Sequence, residues 1–241
     1  MGSVAENIAE VRARIGAAAL RSGRKAEDVT LVCVTKSRTV GEIAEAVAAG
    51  EFQLGENRAQ EFLEKYDTIQ DIADTYTKKP NIMWNFIGQL QRNKVKYLAE
   101  KTSLIHSVDS YKLAEEIEAR AALTDWTACV LIQINTAGEP NKAGVALSEC
   151  ETLTREIAGR LPHVSVRGLM AVVPAADDPE DVRGYFRDAK QAFDSIAKKV
   201  GGPVSGFEHL SMGMTHDFEV AIEEGATIVR VGTAIFGSRG N

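Results

Sequence analysis

The sequence has few of the features that mark secreted, membrane-spanning or nucleic-acid-binding proteins. It contains only 3 cysteines in 241 residues, without a Cys-x-x-Cys pair. Two of these lie in apolar runs, as reduced buried thiols do, so we expect a cytoplasmic location or a reducing organelle matrix. No apolar run reaches the roughly 18 residues that a membrane span needs. We therefore expect no membrane partner. Because 34 acidic residues outnumber 28 basic ones, giving a net charge of −6, we also expect no nucleic acid as a partner.

Local motifs for nucleotides and metals are also missing. The chain has neither a G-x-x-x-x-G-K-[ST] loop nor a G-x-G-x-x-G turn. Its histidines do not fall at metal-ligand spacing, so we expect no metal site and interpret them as surface or hydrogen-bonded core residues. They are His106, His163, His209 and His216.

Short β-branched runs alternate with amphipathic helical patterns along the chain. Eight segments are typical of buried strands: 29–36, 52–57, 83–88, 103–109, 127–135, 164–173, 208–213 and 226–232. Capping boxes predict one helix before the first strand, at Ser3 with Glu6, and another after it, at Thr39 with Glu42. The alternation predicts an α/β fold in a single domain over residues 1–241: a (β/α)8 TIM-like barrel with an extra N-terminal helix. A doubly wound open sheet is the alternative.

Polar residues also predict where the later helices begin. We expect helix starts at Ser110, at Ser148 with its partner Glu151, at the Asp178–Pro179 pair and at Thr215.

Lys36 is the first candidate for chemistry, because it ends the first predicted strand in phase with Val32 and Val34. Barrels place their reactive groups at the carboxyl ends of strands. Burial lowers the pKa of a lysine, and the neutral amine attacks a carbonyl to form a Schiff base. A lysine that has already emerged into solvent is the alternative.

Arg230 and two turns of small residues complete the candidate site. Arg230 lies inside an apolar strand, where a guanidinium needs a fixed acceptor, either a carboxylate or a ligand atom. The turns Ser211–Gly213 and Gly232–Thr233 follow the last two strands, where barrels frequently bind phosphate. A lysine for an imine, an arginine for a ring nitrogen and a phosphate cup describe a site for pyridoxal 5′-phosphate (PLP). A phosphosugar-binding barrel without PLP is another interpretation.

A series of motifs in a fixed order carries a resemblance to a known family. They are VTKSRTVGEIAEAVAAG (34–50), LGENRAQE (54–61), WNFIGQLQRNKVK (84–96), IHSVDS (105–110), INTAGEPNKAGV (134–145), RGLMAVVP (167–174) and HLSMGMTHDFEVAIEEGATIVRVGTAIFG (209–237). Through them the sequence resembles the pyridoxal phosphate homeostasis protein family over nearly the whole chain. The resemblance implies a barrel of the alanine racemase N-terminal domain type, with PLP held as a Schiff base on Lys36.

The resemblance also implies roles for individual residues. Around the phosphate it places Ser211, Gly213, Gly232 and Thr233; it places Arg230 at the pyridine nitrogen, and Asn57 and Met170 in the pocket. Two departures concern the rim of this pocket. Gln89 stands where the family usually has His or Pro, and Thr215–His216 stands where Ser and a variable residue are usual.

The chemistry of such a site favours a carrier over an enzyme. An arginine facing the pyridine nitrogen keeps it unprotonated, which makes the ring a weaker electron sink. Racemases of the related fold carry a second domain that supplies a tyrosine, and this chain ends at Asn241. We therefore expect a PLP homeostasis protein without catalytic residues, which buffers PLP or delivers it to apo PLP-dependent enzymes. The alternative is a bare-barrel amino-acid racemase of low activity.

Two expectations concern partners. No exposed apolar helix face is left over, so we expect a monomer. The segment QRNKVKYLAEK (91–101) is basic, with Arg92, Lys94, Lys96 and Lys101 against Glu100. It is interpreted as a solvated helix face, with a docking strip for an apo-enzyme or a phosphate ligand as the alternative.

Overall fold

The strands of the protein form a closed parallel barrel. The structure is a computed structural model that describes residues 2–139, 143–200 and 206–238. Its strands are β1 (Thr30–Val34), β2 (Gln53–Glu56), β3 (Met83–Phe86), β4 (Leu104–Val108), β5 (Ala128–Asn135), β6 (Val145–Ala146), β7 (Val164–Ala171), β8 (His209–Ser211) and β9 (Ile228–Val231). They are arranged in the order β4-β3-β2-β1-β9-β8-β7-β5-β6, and a further pairing of β4 with β5 closes the ring. The (β/α)8 barrel is thus confirmed over the open sheet, with β6 as a short addition outside the ring.

Helices surround the barrel, and the predicted N-terminal helix is present. They are α1 (Val4–Arg21), α2 (Val40–Ala48), α3 (Ala59–Asp74), α4 (Tyr111–Thr124), α5 (Leu147–Arg160), α6 (Arg183–Val200), α7 (Phe218–Glu223) and α8 (Thr233–Phe236), with 3-10 turns at Ala26–Asp28, Arg92–Tyr97 and Pro179–Val182. Because α8 is a single turn, it covers little of the barrel, and α1 packs against both α7 and α8. The Asn7 amide donates a hydrogen bond of 2.8 Å to the Ile235 carbonyl at this contact.

The predicted helix starts meet different outcomes. Both capping boxes, at Ser3 with Glu6 and at Thr39 with Glu42, are formed. The carboxylate of Asp178 caps the Pro179–Val182 turn, as predicted. Ser110 occupies the cap position of α4, although its side chain makes no capping hydrogen bond.

Two predicted starts are wrong. The chain pairs with β5 up to Ala146, so α5 begins at once at Leu147, and the predicted start at Ser148 falls inside the helix. The Asp217 carboxylate accepts a hydrogen bond of 2.6 Å from the Met214 N–H, which closes a turn over 214–217. This turn delays α7 to Phe218, so Thr215 does not cap it.

The core has two layers. A small apolar cluster fills the barrel, and a larger one lies between the strands and the helices. The interior cluster consists of Val32, Leu104, Leu131, Met170 and Ile228. Since side chains alternate along a strand, Val32 faces the barrel axis and Cys33 faces the helices. All three cysteines are free. Among the described residues, no helix is long and apolar enough to cross a membrane.

Candidate functional site

The predicted site residues lie where the strands end. Lys36 lies in the turn after β1, Asn57 follows β2, Ser211 ends β8 and Gly232 follows β9. All barrel strands are parallel, so these carboxyl ends meet at one mouth of the barrel. In the ring β9, β1 and β2 are neighbours, which places the last strand of the chain beside the first.

Lys36 and Asn57 share one cavity at this mouth. The cavity is lined by Lys36, Ser37, Asn57, Arg58 and Glu61. β1 ends at Val34, two residues earlier than predicted, so Lys36 belongs to a turn and is half-buried. The Asn57 Oδ1 atom is buried, and no described residue gives it a hydrogen bond. A buried acceptor without a partner is costly, which points to a ligand donor at this atom.

Arg230 is buried in the barrel, with 5% of its surface exposed. Its Nη1 donates to Ser211 Oγ at 2.6 Å, and its Nη2 donates to the Ala171 carbonyl at 2.9 Å. Burial lowers the pKa of Arg230 to about 10, so the side chain remains a cation at neutral pH. Both of these acceptors are neutral, so among the described residues no carboxylate is hydrogen-bonded to this buried cation, and Asp217 acts on it through its charge alone.

A chain of hydrogen bonds continues from Arg230 across the barrel. Ser211 Oγ lies 3.0 Å from His106 Nδ1, and His106 Nε2 lies 3.0 Å from Asn85 Oδ1. Since Arg230 only donates, Ser211 accepts from it and directs its own proton to His106 Nδ1. His106 then carries its proton on Nε2 and donates to Asn85. Burial, followed by the charge of Arg230, holds the pKa of His106 well below its usual 6.5.

The two predicted phosphate turns have different neighbours: one contacts the backbone of Arg230 and the other lies beside the end of β1. The Gly213 carbonyl accepts a hydrogen bond of 3.0 Å from the Arg230 N–H, and Gly213 has a φ of +90°. A Cβ on Gly232 would lie 3.2 Å from Val34 Cβ, so this turn runs beside the end of β1. Thr233 opens α8 and is exposed. Within the described chain, the Ser211 hydroxyl is hydrogen-bonded to Arg230 and His106, and not to Thr233.

The remaining predicted residues line the site or its rim. Met170 is 1% exposed inside the barrel and lies opposite Ser211 in the sheet. Gln89 is exposed and lines a second cavity with Asn57 and Lys94. Thr215 and His216, the other departure, lie in the turn before α7.

The basic segment lies close to this rim. Arg92 and Lys96 are exposed, whereas Lys94 and Lys101 are half-buried. The Lys101 ammonium lies 4.3 Å from the centre of the Tyr66 ring, and the Lys96 ammonium lies 5.0 Å from that of Tyr97. Two of the ammonium groups of this segment therefore make cation–π contacts with tyrosine rings of the protein itself.

Sequence reasoning did not connect His106, Asn85 or the pair Glu56–Lys65 to the site. His106 is a hydrogen-bonded core residue, as interpreted, but its contact with Ser211 joins positions 105 residues apart. One local signal was available. His106 lies two residues after Leu104 on β4, so the two side chains share a face, and Leu104 belongs to the interior cluster.

Comparisons with known proteins agree with this architecture. The family model of the alanine racemase N-terminal domain matches residues 2–240. The chain is 44% identical to the pyridoxal phosphate homeostasis protein of Aquifex aeolicus, with 97% of each chain covered. It is 39% identical to the protein of the same name from Escherichia coli strain K12, covering 99% of this chain and 98% of the relative.

Solved structures lead to the same family. PipY of Synechococcus elongatus PCC7942, solved with PLP bound, is 30% identical over 98% of this chain and 100% of its own, with a TM-score of 0.82. An alanine racemase of Clostridium difficile 630 shares the fold alone, at 16% identity and a TM-score of 0.65, with 54% of its length covered. The chain thus belongs to the alanine racemase N-terminal domain family and, within it, to the pyridoxal phosphate homeostasis proteins.

Proposed function

We propose that the protein binds PLP at the mouth of its barrel, holds it through Lys36, and buffers or delivers it in PLP homeostasis. One observation carries the proposal. Lys36, the unpartnered Asn57 Oδ1 and the buried Arg230 cation follow or lie on three neighbouring strands, β1, β2 and β9. The names of the relatives and the PLP-bound structure of PipY support it.

The residues present fit the groups of this cofactor. PLP supplies an aldehyde that a lysine amine captures as a Schiff base. Asn57 Oδ1 would accept from the ring hydroxyl, and Arg230 would donate to the ring nitrogen. In the proposal the phosphate is held by Ser211, Gly213, Gly232 and Thr233, and Met170 lines the pocket. Ser211 is oriented by its hydrogen bonds to Arg230 and His106. It would therefore bind the phosphate only by giving up one of these two hydrogen bonds.

Arg230 also supports the proposal that the protein is a carrier and not an enzyme. Because a cation beside the ring nitrogen repels a proton there, the ring withdraws electrons less strongly. Among the described residues that line the cavity around Lys36 there is no tyrosine, the acid–base group that racemases of the related fold place opposite the lysine. Weak racemisation of amino acids is the second candidate, favoured by the fold shared with alanine racemases.

The proposal extends to the setting of the protein. Residues 1–241 act as one PLP-binding unit, a monomer in a reducing compartment such as the cytoplasm. Three free cysteines support the reducing compartment. Apo PLP-dependent enzymes are the proposed acceptors.

Titration with PLP tests the anchor. The wild-type protein and the control Lys112→Ala, at an exposed position of α4, are expected to bind PLP with a visible absorbance that borohydride removes. Lys36→Ala is expected to lose this absorbance, because Lys36 is the one lysine among the described residues that line the cavity. An unchanged spectrum in Lys36→Ala would show that Lys36 is not the anchor.

Incubation of the PLP-loaded protein with single enantiomers of alanine and serine separates the two candidate functions. A carrier leaves their optical purity unchanged over many hours. Rapid loss of optical purity would favour the racemase.

A further inference from the structure

A cluster of charged side chains lies directly behind the turn that carries Lys36. It consists of Glu56, Glu61 and Lys65, here called the turn clamp. Lys65, on α3, is 7% exposed, and Glu56, at the end of β2, is completely buried. Lys65 Nζ donates to Glu56 Oε1 at 2.6 Å and to Glu61 Oε2 at 3.4 Å. Its third acceptor, at 2.9 Å, is the carbonyl of Thr35, the residue before Lys36.

The turn clamp holds the backbone on both sides of Lys36. On one side, the Thr35 hydroxyl donates to Glu56 Oε1 at 2.7 Å, in addition to the contact of the Thr35 carbonyl with Lys65. On the other side, the Ser37 N–H donates to Glu61 Oε2 at 2.8 Å. The residues before and after Lys36 are therefore both held in place by the three side chains of the turn clamp.

The backbone at Ser37 needs such support. Its φ is +59°, in the left-handed region that residues other than glycine seldom occupy. A conformation of this kind persists only where the surroundings determine it, and it is concentrated at functional sites. Two hydrogen bonds support it here: the Ser37 N–H donates to Glu61, and the Arg38 N–H donates to the Thr35 carbonyl at 3.0 Å across the turn.

The same cluster contacts Asn57, which lines the cavity together with Lys36. Glu56 Oε2 accepts a hydrogen bond of 3.3 Å from the Asn57 N–H, while Glu56 Oε1 is held by Lys65 and Thr35. One buried carboxylate thus links the turn after β1 to the turn after β2. A shift of Glu56 would therefore move both Lys36 and Asn57.

Charge explains why the cluster acts as a unit. Burial raises the pKa of Glu56, and the hydrogen bond and charge of Lys65 oppose that rise. A buried ion pair is often no more stabilising than an apolar pair, and its clearest use is to specify one conformation. Removal of Lys65 would leave Glu56 buried without this cation. It would also leave the Thr35 carbonyl with one hydrogen bond in place of two, that of 3.0 Å from the Arg38 N–H.

We propose that Lys65, acting with Glu56 and Glu61, is a positioning residue that sets the conformation of the Lys36 turn and so speeds the capture of an aldehyde by Lys36. In this capture the amine nitrogen bonds to the aldehyde carbon, and the aldehyde oxygen leaves as water together with the two amine protons. This inference rests on the proposed function of Lys36. It assigns Lys65 no contact with PLP, only the placement of the residues around its anchor.

Hydrogen exchange of the PLP-free protein tests the clamp without the cofactor. We expect Lys65→Met and Glu61→Ala to speed exchange of the Ser37 amide, and Lys65→Arg to restore most of its protection. Glu61→Ala keeps the buried Lys65–Glu56 pair and serves if Lys65→Met does not fold. The control is Arg12→Met, which leaves Glu51, 5% exposed, without its cation at a contact between α1 and the chain before β2.

Capture of PLP is then followed by stopped-flow absorbance with the same variants. We expect capture to slow roughly tenfold or more in Lys65→Met, less in Glu61→Ala and little in Lys65→Arg or Arg12→Met. Unchanged exchange and capture in folded Lys65→Met and Glu61→Ala would overturn the inference, as would an equal loss in Arg12→Met. If the wild type captures no PLP, the proposed function fails, and the proposed role of Lys65 in capture fails with it. Faster exchange of the Ser37 amide in Lys65→Met would still show that Lys65 holds the turn.

Discussion

At the scale of single residues, the barrel interior is arranged around one cation. Arg230 donates to Ser211 and to the Ala171 carbonyl, and the Ser211 hydroxyl donates a hydrogen bond to His106 Nδ1. A protonated His106 would place a second positive charge in the same closed space, and burial would make it costlier. The neutral histidine thus leaves Ser211 free to accept from Arg230, which keeps the guanidinium pointing in one direction.

This arrangement predicts how stability depends on pH. The pKa of His106 is lowered in the folded protein, so below about pH 6.5 the unfolded chain binds a proton that the folded protein does not. The stabilisation is complete above pH 6.5 and is lost as the pH falls from there towards the folded pKa, by at most about 1.4 kcal/mol per pH unit.

Urea unfolding between pH 7.5 and 5.5 measures this loss. The free energy of unfolding of the wild type should fall more steeply than that of His106→Gln, which lacks the titrating ring. The pKa of His209 is also lowered, but His209 contributes equally to both proteins. Parallel pH profiles for the two proteins would show that His106 is not the group responsible.

At the scale of elements, the turns after β2 and β3 are packed backbone against backbone. A Cβ on Gly88 would lie 2.1 Å from the Asn57 carbonyl oxygen, far inside van der Waals contact. Glycine at position 88 therefore allows the turn after β3 to pack directly against the backbone of Asn57. The cavity beside Lys36 depends on this contact, because Asn57 lines it.

Gly88→Ala should therefore displace Asn57, lower the free energy of unfolding by roughly 1–3 kcal/mol and weaken PLP binding. The matched control is Gly159→Ala on α5, where a Cβ would meet nothing within 4 Å. Its stability should be unchanged or raised by up to about 1 kcal/mol. Urea unfolding and PLP titration of both variants check this, and wild-type behaviour of Gly88→Ala would refute the role of the contact.

The elements also show what local sequence patterns encode. Short apolar runs that alternate with helical patterns predicted all eight barrel strands, and the capping boxes at Ser3 and Thr39 predicted two helix starts. The end of β1 was misplaced because the chain turns at Lys36 and Ser37, where the Ser37 N–H bonds to Glu61, a partner 24 positions distant. The start of α7 was misplaced because Asp217 bonds back to Met214.

The same limit applies to the candidate site. Lys36 and Arg230 stood out because a charged residue within an apolar strand breaks a local pattern. Glu56, Lys65 and His106 did not stand out, because their partners come from other strands and helices. The resemblance to a family supplied Asn57 and Met170, which no local pattern marked.

At the scale of the whole molecule, closure of the barrel creates the candidate site. In the ring β9 pairs with β1 over four positions, from Thr30 with Ile228 to Cys33 with Val231. This pairing brings Arg230 and Gly232, near the end of the chain, beside the strand that leads to Lys36. An open sheet would not require the last strand to lie next to the first.

The most direct test of the account is the location of bound PLP on the chain. The PLP-loaded protein is reduced with borohydride and digested, and the peptides are weighed by mass spectrometry. The account predicts one PLP adduct per chain, on the peptide that contains Lys36. An unmodified Lys36 peptide, with the adduct on another lysine such as Lys94, would contradict it.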